Sequence, residues 1–500
     1  MKRLITTILL ASVATGASYA QYVNDALRFS QNDYGSSARF KAMGNAQIGV
    51  GGDISSLGGN PAGLGLFTRS EFSFTPEFNQ SSVQANYLNR ISKADKGQLN
   101  VNQLGAVFFT PVYRRSDQDT KQGLVSMVYG IGYNRNSNFY MESHFAGANN
   151  STSIADYFAE LGGTSSPNNL ASGTPERIAY DNYLISYDDV AGNYYPETFA
   201  DATHSNTQQR SEWRSGGVSE FNFAAAANIA NQVYVGASIS LTNIHYTSDA
   251  QYTESGLARE YLNDNLTGNN INYKLAFNQN QSTDGSGVSG RLGVIFRASP
   301  EFRLGATLQT PSWYVINDSY TEEVDNSATT RGSRDNRTYD FTYNLRTPLK
   351  ASLGASYIIA GQALLSADID FVDYASTHLS SNDGNDMSLF ADNNATIRKT
   401  FTNAINYRVG LEYKLNALSL RGGYALNASP YKNDDNGAFD SEVYSAGLGY
   451  RTNKYSIDFG YQYIENDYTM RPYSLYAGNE PVAAFNQKRN NVFLTFGLRF

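Results

Sequence analysis

Residues that could carry catalysis occur in this sequence, but their spacing builds no catalytic site. The four histidines, His144, His204, His245 and His378, lie far apart, and no pair has the spacing of metal ligands. The chain lacks the G-x-S-x-G motif of a serine nucleophile and has no cysteine. Residues 285–290, GSGVSG, fit G-x-G-x-x-G but lead into a strand pattern, where a dinucleotide site needs a helix. We predict that the protein is not an enzyme and has no cofactor or metal site.

Charged residues fall instead on the polar face of alternating segments. In YRVGLEYKL, residues 407–415, apolar and polar residues alternate with period two, which predicts a strand with two different faces. A polar face with charges of both signs is typical of a water-filled barrel interior. We expect eight such side chains to face the lumen and form ion pairs: Arg291, Arg303, Asp368, Asp370, Arg408, Glu412, Arg421 and Asp458.

The alternating segments define the architecture. We count fourteen, at 71–89, 101–113, 122–140, 216–230, 232–252, 272–298, 302–324, 337–360, 362–379, 402–415, 417–430, 441–452, 454–468 and 489–500. Connections after even-numbered segments are short and those after odd-numbered segments longer, the largest at about 141–215. An even count with this asymmetry favours an outer-membrane barrel over a soluble sandwich. The fold class is therefore all-β: a transmembrane antiparallel β-barrel of about 14 strands over residues 70–500, with short helices in its extracellular loops.

The first twenty residues indicate export. Lys2 and Arg3 precede a short apolar run, and small residues stand at Ser18 and Ala20, so residues 1–20 are predicted to be a signal peptide cleaved near Ala20. Removing Lys2 and Arg3 from the 38 basic residues leaves 36 against 46 acidic ones, a net charge of −10. So acidic a chain is a poor nucleic-acid binder. We expect it in the outer membrane of a Gram-negative bacterium, in contact with the lipids of that membrane.

Residues 21–69 do not alternate and precede the first strand. Because a barrel of fourteen strands is wide enough to hold water, a segment must fill it if it is not an open pore. In GGNPAGLG, residues 58–65, the glycines permit close approach to the wall, and Pro61 forces Asn60 toward extended geometry. We predict a plug, or hatch, that turns a corner at Asn60, Pro61, Ala62 and Gly63 before entering the wall.

The long loops contain helix signals. Ser153 and Asp156 fit a capping box, and Ile154, Tyr157, Phe158 and Leu161 share one face of the helix that follows. Thr174 and Pro175 start a second candidate, and a third lies around 388–405. Two interpretations stay open. Either these helices only pack over the barrel mouth, or Ile154, Tyr157, Phe158 and Leu161 form a groove that captures a hydrophobic ligand.

The last strand, NVFLTFGLRF, places Phe496, Leu498 and Phe500 on one face and ends on an aromatic residue. It is similar to the signal read by the outer-membrane barrel assembly machinery. The alternative is an ordinary edge strand.

The region before strand one resembles the plug of the FadL/TodX (OmpP1) outer-membrane transport family. The matching positions are Ala38, Arg39, Met43, Gly44, Ala46, Asp53, Asn60, Pro61, Ala62, Gly63 and Leu64. Segments 291–311, 347–359 and 443–463 resemble strand signatures of the second half of that family. The sequence departs from the family in its large loop after strand three and in GVGGDISS, residues 49–56, which replaces an acidic-alanine run.

The resemblance implies a porin-like barrel with a hatch that takes up long-chain fatty acids or aromatic hydrocarbons. The ligand would be captured at the surface, enter a lumen pocket and leave sideways near strand three. Gly130 and Gly132 in that strand either mark a break in the wall or make room for the plug.

Three functions follow as hypotheses. The first is passive uptake of hydrophobic small molecules. The second is a FadL-like scaffold or shuttle for a protein partner in type IX secretion, which a broad polar outer platform would favour. The third is a haem receptor, which would need convergent His or Tyr ligands near the mouth.

Overall fold

The wall consists of fourteen antiparallel strands. The structure is a computed structural model that describes residues 18–112, 122–326, 334–381, 387–434 and 437–500. The predicted signal peptide lies outside these residues except for its last three positions. The wall strands are β1 (Glu71–Tyr87), β2 (Arg90–Pro111), β3 (Leu124–Asn138 and Met141–Asn149), β4 (Asn206–Ile229), β5 (Val233–Leu262), β6 (Asn265–Arg297), β7 (Phe302–Gln309 and Trp313–Asn326), β8 (Arg334–Arg346 and Lys350–Ile359), β9 (Ala363–Asp373 and His378–Ser381), β10 (Asn403–Leu415), β11 (Leu418–Asn427), β12 (Ser441–Arg451), β13 (Tyr455–Met470) and β14 (Ala483–Arg499).

Each wall strand pairs with the next in the chain, and β1 pairs with β14 to close the barrel. The closing register sets Glu71 opposite Arg499, and the Arg499 Nε donates to the Glu71 carboxylate at 2.8 Å. Four strands, β3, β7, β8 and β9, are interrupted once, but both parts of each pair with the same neighbouring strand. The predicted closed barrel of fourteen strands is confirmed.

A belt of outward apolar side chains surrounds the lower part of the barrel. On β10 the exposed residues are Tyr407, Val409, Leu411 and Tyr413, whereas Arg408 between them is buried inside. The same alternation of apolar outside and polar inside is required of strands in lipid. We refer to this surface as the lipid belt.

Above the lipid belt the polarity of the strands inverts. On β5 the outward side chains are apolar up to Leu241 and polar from Asn243 onward, while the inward ones change from Thr242 to buried Ile244 and Tyr246. Polar groups outside and apolar groups inside are the arrangement of a sheet in water. The barrel therefore continues beyond the membrane as a water-exposed wall around an apolar interior.

This inversion corrects several strand bounds. Strand β2 begins at Arg90 and not at 101, β4 begins at Asn206 and not at 216, and β5 extends to Leu262 and not to 252. A membrane crossing needs only about ten residues per strand, and β5 has 30. The predicted bounds were too short because the expected pattern of apolar outside and polar inside ends where the strand leaves the lipid.

The plug fills the lumen, and all of it except its first helix lies below this apolar interior. It contains helix α1 (Ser18–Ser30), the short helix α2 (Ala38–Lys41) and two 3-10 turns, Ile54–Leu57 and Pro61–Leu66. Its backbone lies so close to the wall that a Cβ on Gly305 would be 2.1 Å from the carbonyl oxygen of Ile48. Only glycine permits that approach.

Helices α3 (Ile154–Gly162), α4 (Pro175–Asp181) and α5 (Met387–Thr400) lie over the mouth. The predicted capping box of α3 is present, with Ala155 N donating to Ser153 Oγ and Ser153 N donating to Asp156. Thr174 and Pro175 start α4 as predicted. In the described part of the chain, no helix is long and apolar enough to cross a membrane.

Candidate functional site

The plug turns its corner at Asn60. The Asn60 amide nitrogen donates to the carbonyl oxygens of Ile48, at 2.8 Å, and Val294, at 3.2 Å. Its amide oxygen accepts the Ala62 N–H at 3.1 Å and so caps the turn that Pro61 begins. One side chain thus joins two parts of the plug to strand β6.

Buried charges hold the plug to the opposite wall. Arg39 of α2 donates through Nε and Nη2 to the two oxygens of Glu412, at 2.8 and 3.2 Å. Arg421 donates to the same carboxylate and to Asp458, at 2.7 Å each. All four side chains are buried. Removing one member of such a network leaves an uncompensated charge and costs roughly 3–5 kcal/mol.

The other predicted lumen charges are also partnered. Asp368 accepts the backbone N–H groups of Gln47, at 2.6 Å, and Ile48, at 2.9 Å, and Arg303 donates to the carbonyl of Val50 at 2.9 Å. Within the wall the charges form the pairs Arg291–Glu220 and Arg408–Asp370. Six of the eight side chains form ion pairs as predicted, whereas Asp368 and Arg303 instead hydrogen-bond to the backbone of the plug.

Above the rest of the plug lies an apolar chamber, which helix α1 fills. Its wall is formed by the buried side chains of Val218, Ile244, Tyr246, Tyr314, Ile316, Tyr343 and Leu345. One face of α1, including Tyr22, Leu27 and Phe29, packs into it, and α5 covers it through Phe390 and Ile397. The Tyr22 and Tyr343 rings meet edge-on at 5.1 Å. The sequence analysis missed this helix, although the spacing of its apolar residues follows a helical period.

Helix α1 also carries a buried acid, next to Tyr22 and Phe29 on the helix surface. Asp25 forms an ion pair with Arg28 and accepts a hydrogen bond from the Gln281 amide at 2.9 Å. Burial raises the pKa of Asp25 to about 6; Arg28 acts in the opposite direction, and Asp318 raises it further. The guanidinium of Arg28 lies 4.0 Å from the centre of the Tyr246 ring. The chamber therefore has a polar side as well as an apolar one.

Strands β2 and β3 separate above the plug. Strand β2 pairs with β1 from Arg90 to Val107 but with β3 only from Gln103 to Pro111. Beyond Asn134, β3 stays paired with β4 alone. Outward Leu99 lies opposite Phe78 of the lipid belt, so the separation starts at the level of the membrane.

Residues 31–36 of the plug lie against this separation, and we call them the gap segment. Asn102 of β2 donates to the carbonyl oxygen of Ser36. On the β3 side, Asp33 N donates to the carbonyl oxygen of Asn136 at 3.2 Å, and Ser137 Oγ donates to that of Gln31 at 3.1 Å. The gap segment thus joins the two strands where their pairing has ended, and higher up the Lys96 ammonium of β2 lies 3.5 Å from the Glu142 carboxylate of β3. No motif in the sequence pointed to Asn102 or Ser137.

Gly130 and Gly132 lie below the separation and pair with both neighbouring strands. A Cβ on Gly130 would lie 2.6 Å from Leu57 of the plug, and one on Gly132 would lie 2.7 Å from it. The two glycines therefore lie where the plug contacts β3. Pairing is lost two residues higher, at Asn134.

The four candidate capture residues differ in burial. Ile154 and Phe158 are buried in an apolar cluster under α3, whereas Tyr157 and Leu161 are partly buried at its edge. The N-terminus of α3 is held by Glu254, whose carboxylate accepts hydrogen bonds from Ser153 Oγ and Ile154 N. Burial raises the pKa of the Glu254 carboxyl, which lies well above the lipid belt.

The histidines do not converge. Two of them, His144 and His245, have ring nitrogens near Ser211 and Asp284, at 3.0 and 2.7 Å. Among the described residues, no three His, Cys, Asp or Glu side chains are grouped to hold a metal ion. Phe496, Leu498 and Phe500 all point outward and are exposed; their role in assembly remains a prediction.

A closed barrel with a plugged polar lumen, an outer apolar chamber and a belt of lipid-facing residues defines a class, the plugged transport barrels of the outer membrane. A family model described as outer membrane protein transport protein (OMPP1/FadL/TodX) matches residues 199–474. The chain belongs to this family, as the resemblance of its plug predicted, and the family places it in the outer membrane of a Gram-negative bacterium.

Solved structures support the fold. The chain is similar to the P. putida toluene transporter TodX, with 12% identity and a TM-score of 0.56 over 94% of this chain and 99% of that one. It is also similar to a Pseudomonas aeruginosa FadL homologue, with 12% identity and a TM-score of 0.52 over the same shares of the two chains. No curated protein sequence matches the chain. Similarity at this identity establishes the architecture.

Proposed function

We propose that the protein is a passive outer-membrane channel for hydrophobic small molecules, either long-chain fatty acids or aromatic hydrocarbons. The observation that carries this proposal is the apolar chamber above the plug. Its wall strands carry polar side chains outward and apolar ones inward, which a water-filled porin mouth would not need. The toluene transporter TodX, which has this fold, supports the same class of substrate.

The straight route to the periplasm is unfavourable for such a ligand. It leads past the buried network of Arg39, Glu412 and Arg421, where an apolar molecule would displace charge-assisted hydrogen bonds without replacing them. The separation of β2 from β3 offers a route that breaks no strand pairing. We therefore propose that ligand leaves sideways, above Asn134, when the gap segment withdraws.

Capture comes first in this proposal. Tyr157 and Leu161, at the edge of the α3 cluster, are the two candidate residues that a ligand can contact without unfolding the helix. Ile154 and Phe158 would support them from below. A ligand would then replace part of α1 in the chamber.

Uptake measured in cells tests the function. In a strain without this gene, uptake of labelled oleate or toluene should fall, and expression of the protein should restore it. Phe29, buried in the chamber, can be replaced by Asp to put a charge there, and F29D should not restore uptake even when the barrel is inserted normally. Full uptake of both compounds in the deletion strain would contradict the proposal. If that strain instead lost protein secretion, the alternative function as a scaffold for a protein partner would be favoured.

A further inference from the structure

The outer surface of the wall carries a second feature, at the interruptions of β8 and β9. Above them Arg346 pairs with His378, and below them Lys350 pairs with Val372. Between these two pairs the strands are not hydrogen-bonded, and β9 forms a 3-10 turn, Tyr374–Ser376. The interruption lies at the upper edge of the lipid belt, where exposed Phe371 is the last apolar residue of β9.

The outward surface is hollow at this place. A depression of about 350 Å³ is lined mainly by Leu349, Ala351, Phe371 and Ile405. Ala351 also lines a second depression of about 360 Å³, lower in the belt. The two depressions share Ala351 and lie on the outward surface that faces the membrane; together we call them the furrow, and the lining of the upper depression also includes the polar residues Asp373, Ser376 and Asn403.

Three basic side chains lie at the upper end of the furrow. Arg346 and His378 point outward and are exposed, because their neighbours Leu345 and Leu379 are buried inside. Arg398, in the last turn of α5, adds a third basic group. Among the residues that the structure describes, none of these three side chains has a hydrogen-bond or ion-pair partner.

The three basic groups lie close enough to affect one another. Burial lowers the pKa of the His378 imidazole, and Arg346 and Arg398 lower it further. One acid, Asp373, lines the furrow; its carboxylate accepts the Ala375 N–H at 3.1 Å and caps the 3-10 turn. An anion at this place would relieve the repulsion between the two arginines.

We propose that this furrow binds an anionic lipid of the outer leaflet, with an acyl chain along Ala351 and a phosphate group between Arg346 and His378. Arginine suits a phosphate because its planar guanidinium donates two parallel hydrogen bonds. The site is specific for a lipid because the cations and the apolar furrow lie one above the other at the membrane boundary. It is independent of transport.

Native mass spectrometry of the full-length protein tests the site. The protein is taken up in detergent with equal amounts of phosphatidylglycerol and phosphatidylcholine, and the retained lipid is counted. We expect a preference for phosphatidylglycerol that falls about tenfold in R346Q/H378Q, the effect of losing charge-assisted hydrogen bonds. A351F keeps the cations but fills the furrow, and it should also reduce retention.

The matched control is R90Q/K93Q, which removes two exposed basic residues of β2 away from the furrow. It should keep the preference. The proposal is overturned if R346Q/H378Q retains phosphatidylglycerol as the wild type does, or if the control loses it equally. It is also overturned if inorganic phosphate displaces the lipid and A351F has no effect, because the site would then bind free phosphate.

Discussion

Asp25 makes the seating of helix α1 depend on pH. Burial raises its pKa from an ordinary 3.8 to about 6, so the seated helix binds a proton more tightly than the released one. Seating is therefore favoured below about pH 4 and weakens by roughly 3 kcal/mol as the pH rises through about 6. Amide hydrogen exchange of α1, corrected for its intrinsic pH dependence, should become faster over this window.

The matched variant for this prediction is D25N, which resembles the protonated side chain. It should keep slow exchange at both ends of the window. If D25N shows the same pH dependence as the wild type, another group controls α1. Ligand entry into the chamber would then not be linked to Asp25.

At the scale of elements, the corner at Asn60 determines how firmly the plug is held. N60A removes two hydrogen bonds to carbonyl groups and the cap of the turn that starts at Pro61. We expect a cost of about 2 kcal/mol, which corresponds to roughly a thirtyfold larger fraction of open plug. Conductance of single channels in planar bilayers measures that fraction directly.

N280A is a suitable control, because Asn280 is exposed on the outer face of β6, so that its side chain points away from the plug. It should leave the open fraction unchanged. An unchanged open fraction in N60A as well would mean that the ion pairs of Arg39 alone hold the plug.

How far the sequence predicts these elements depends on which solvent each side chain faces. Period-two alternation located all fourteen strands, because lipid outside and water inside impose it on every crossing. In β5 it missed residues 253–262, beyond the place where buried Tyr246 and Tyr252 follow polar Thr242 on the inner face. There the strand lies in water. The alternation continues, but apolar side chains now point inward and polar ones outward.

Part of the candidate site could be predicted from the sequence and part could not. The charges that pair with the plug could be predicted, since a charge on a lumen face needs a partner wherever the plug lies. The gap segment could not, because its contacts use backbone groups and the amide of Asn102, which any sequence of similar polarity provides.

For the whole molecule, the plug and the wall form one closed surface only because the gap segment lies between β2 and β3. This can be tested by fixing it there. Asn32 and Ser137 are in contact through Oδ1 and Oγ at 3.1 Å, and the chain has no cysteine of its own. The pair N32C/S137C is therefore our choice for a single disulfide between the gap segment and β3, and its formation is checked by the loss of free thiols on oxidation.

We expect cells that carry the oxidised N32C/S137C protein to take up oleate no faster than cells without the protein. A reductant should restore uptake. The control disulfide T321C/T338C joins β7 to β8 outside the membrane, where the two hydroxyl oxygens are 2.9 Å apart, and should leave uptake unchanged. If the locked protein transports normally, ligand must pass through the plug itself. The ion pair between Arg39 and Glu412 would then have to open in each transport cycle, and E412Q would increase the rate of uptake. A sideways exit predicts that E412Q does not increase that rate.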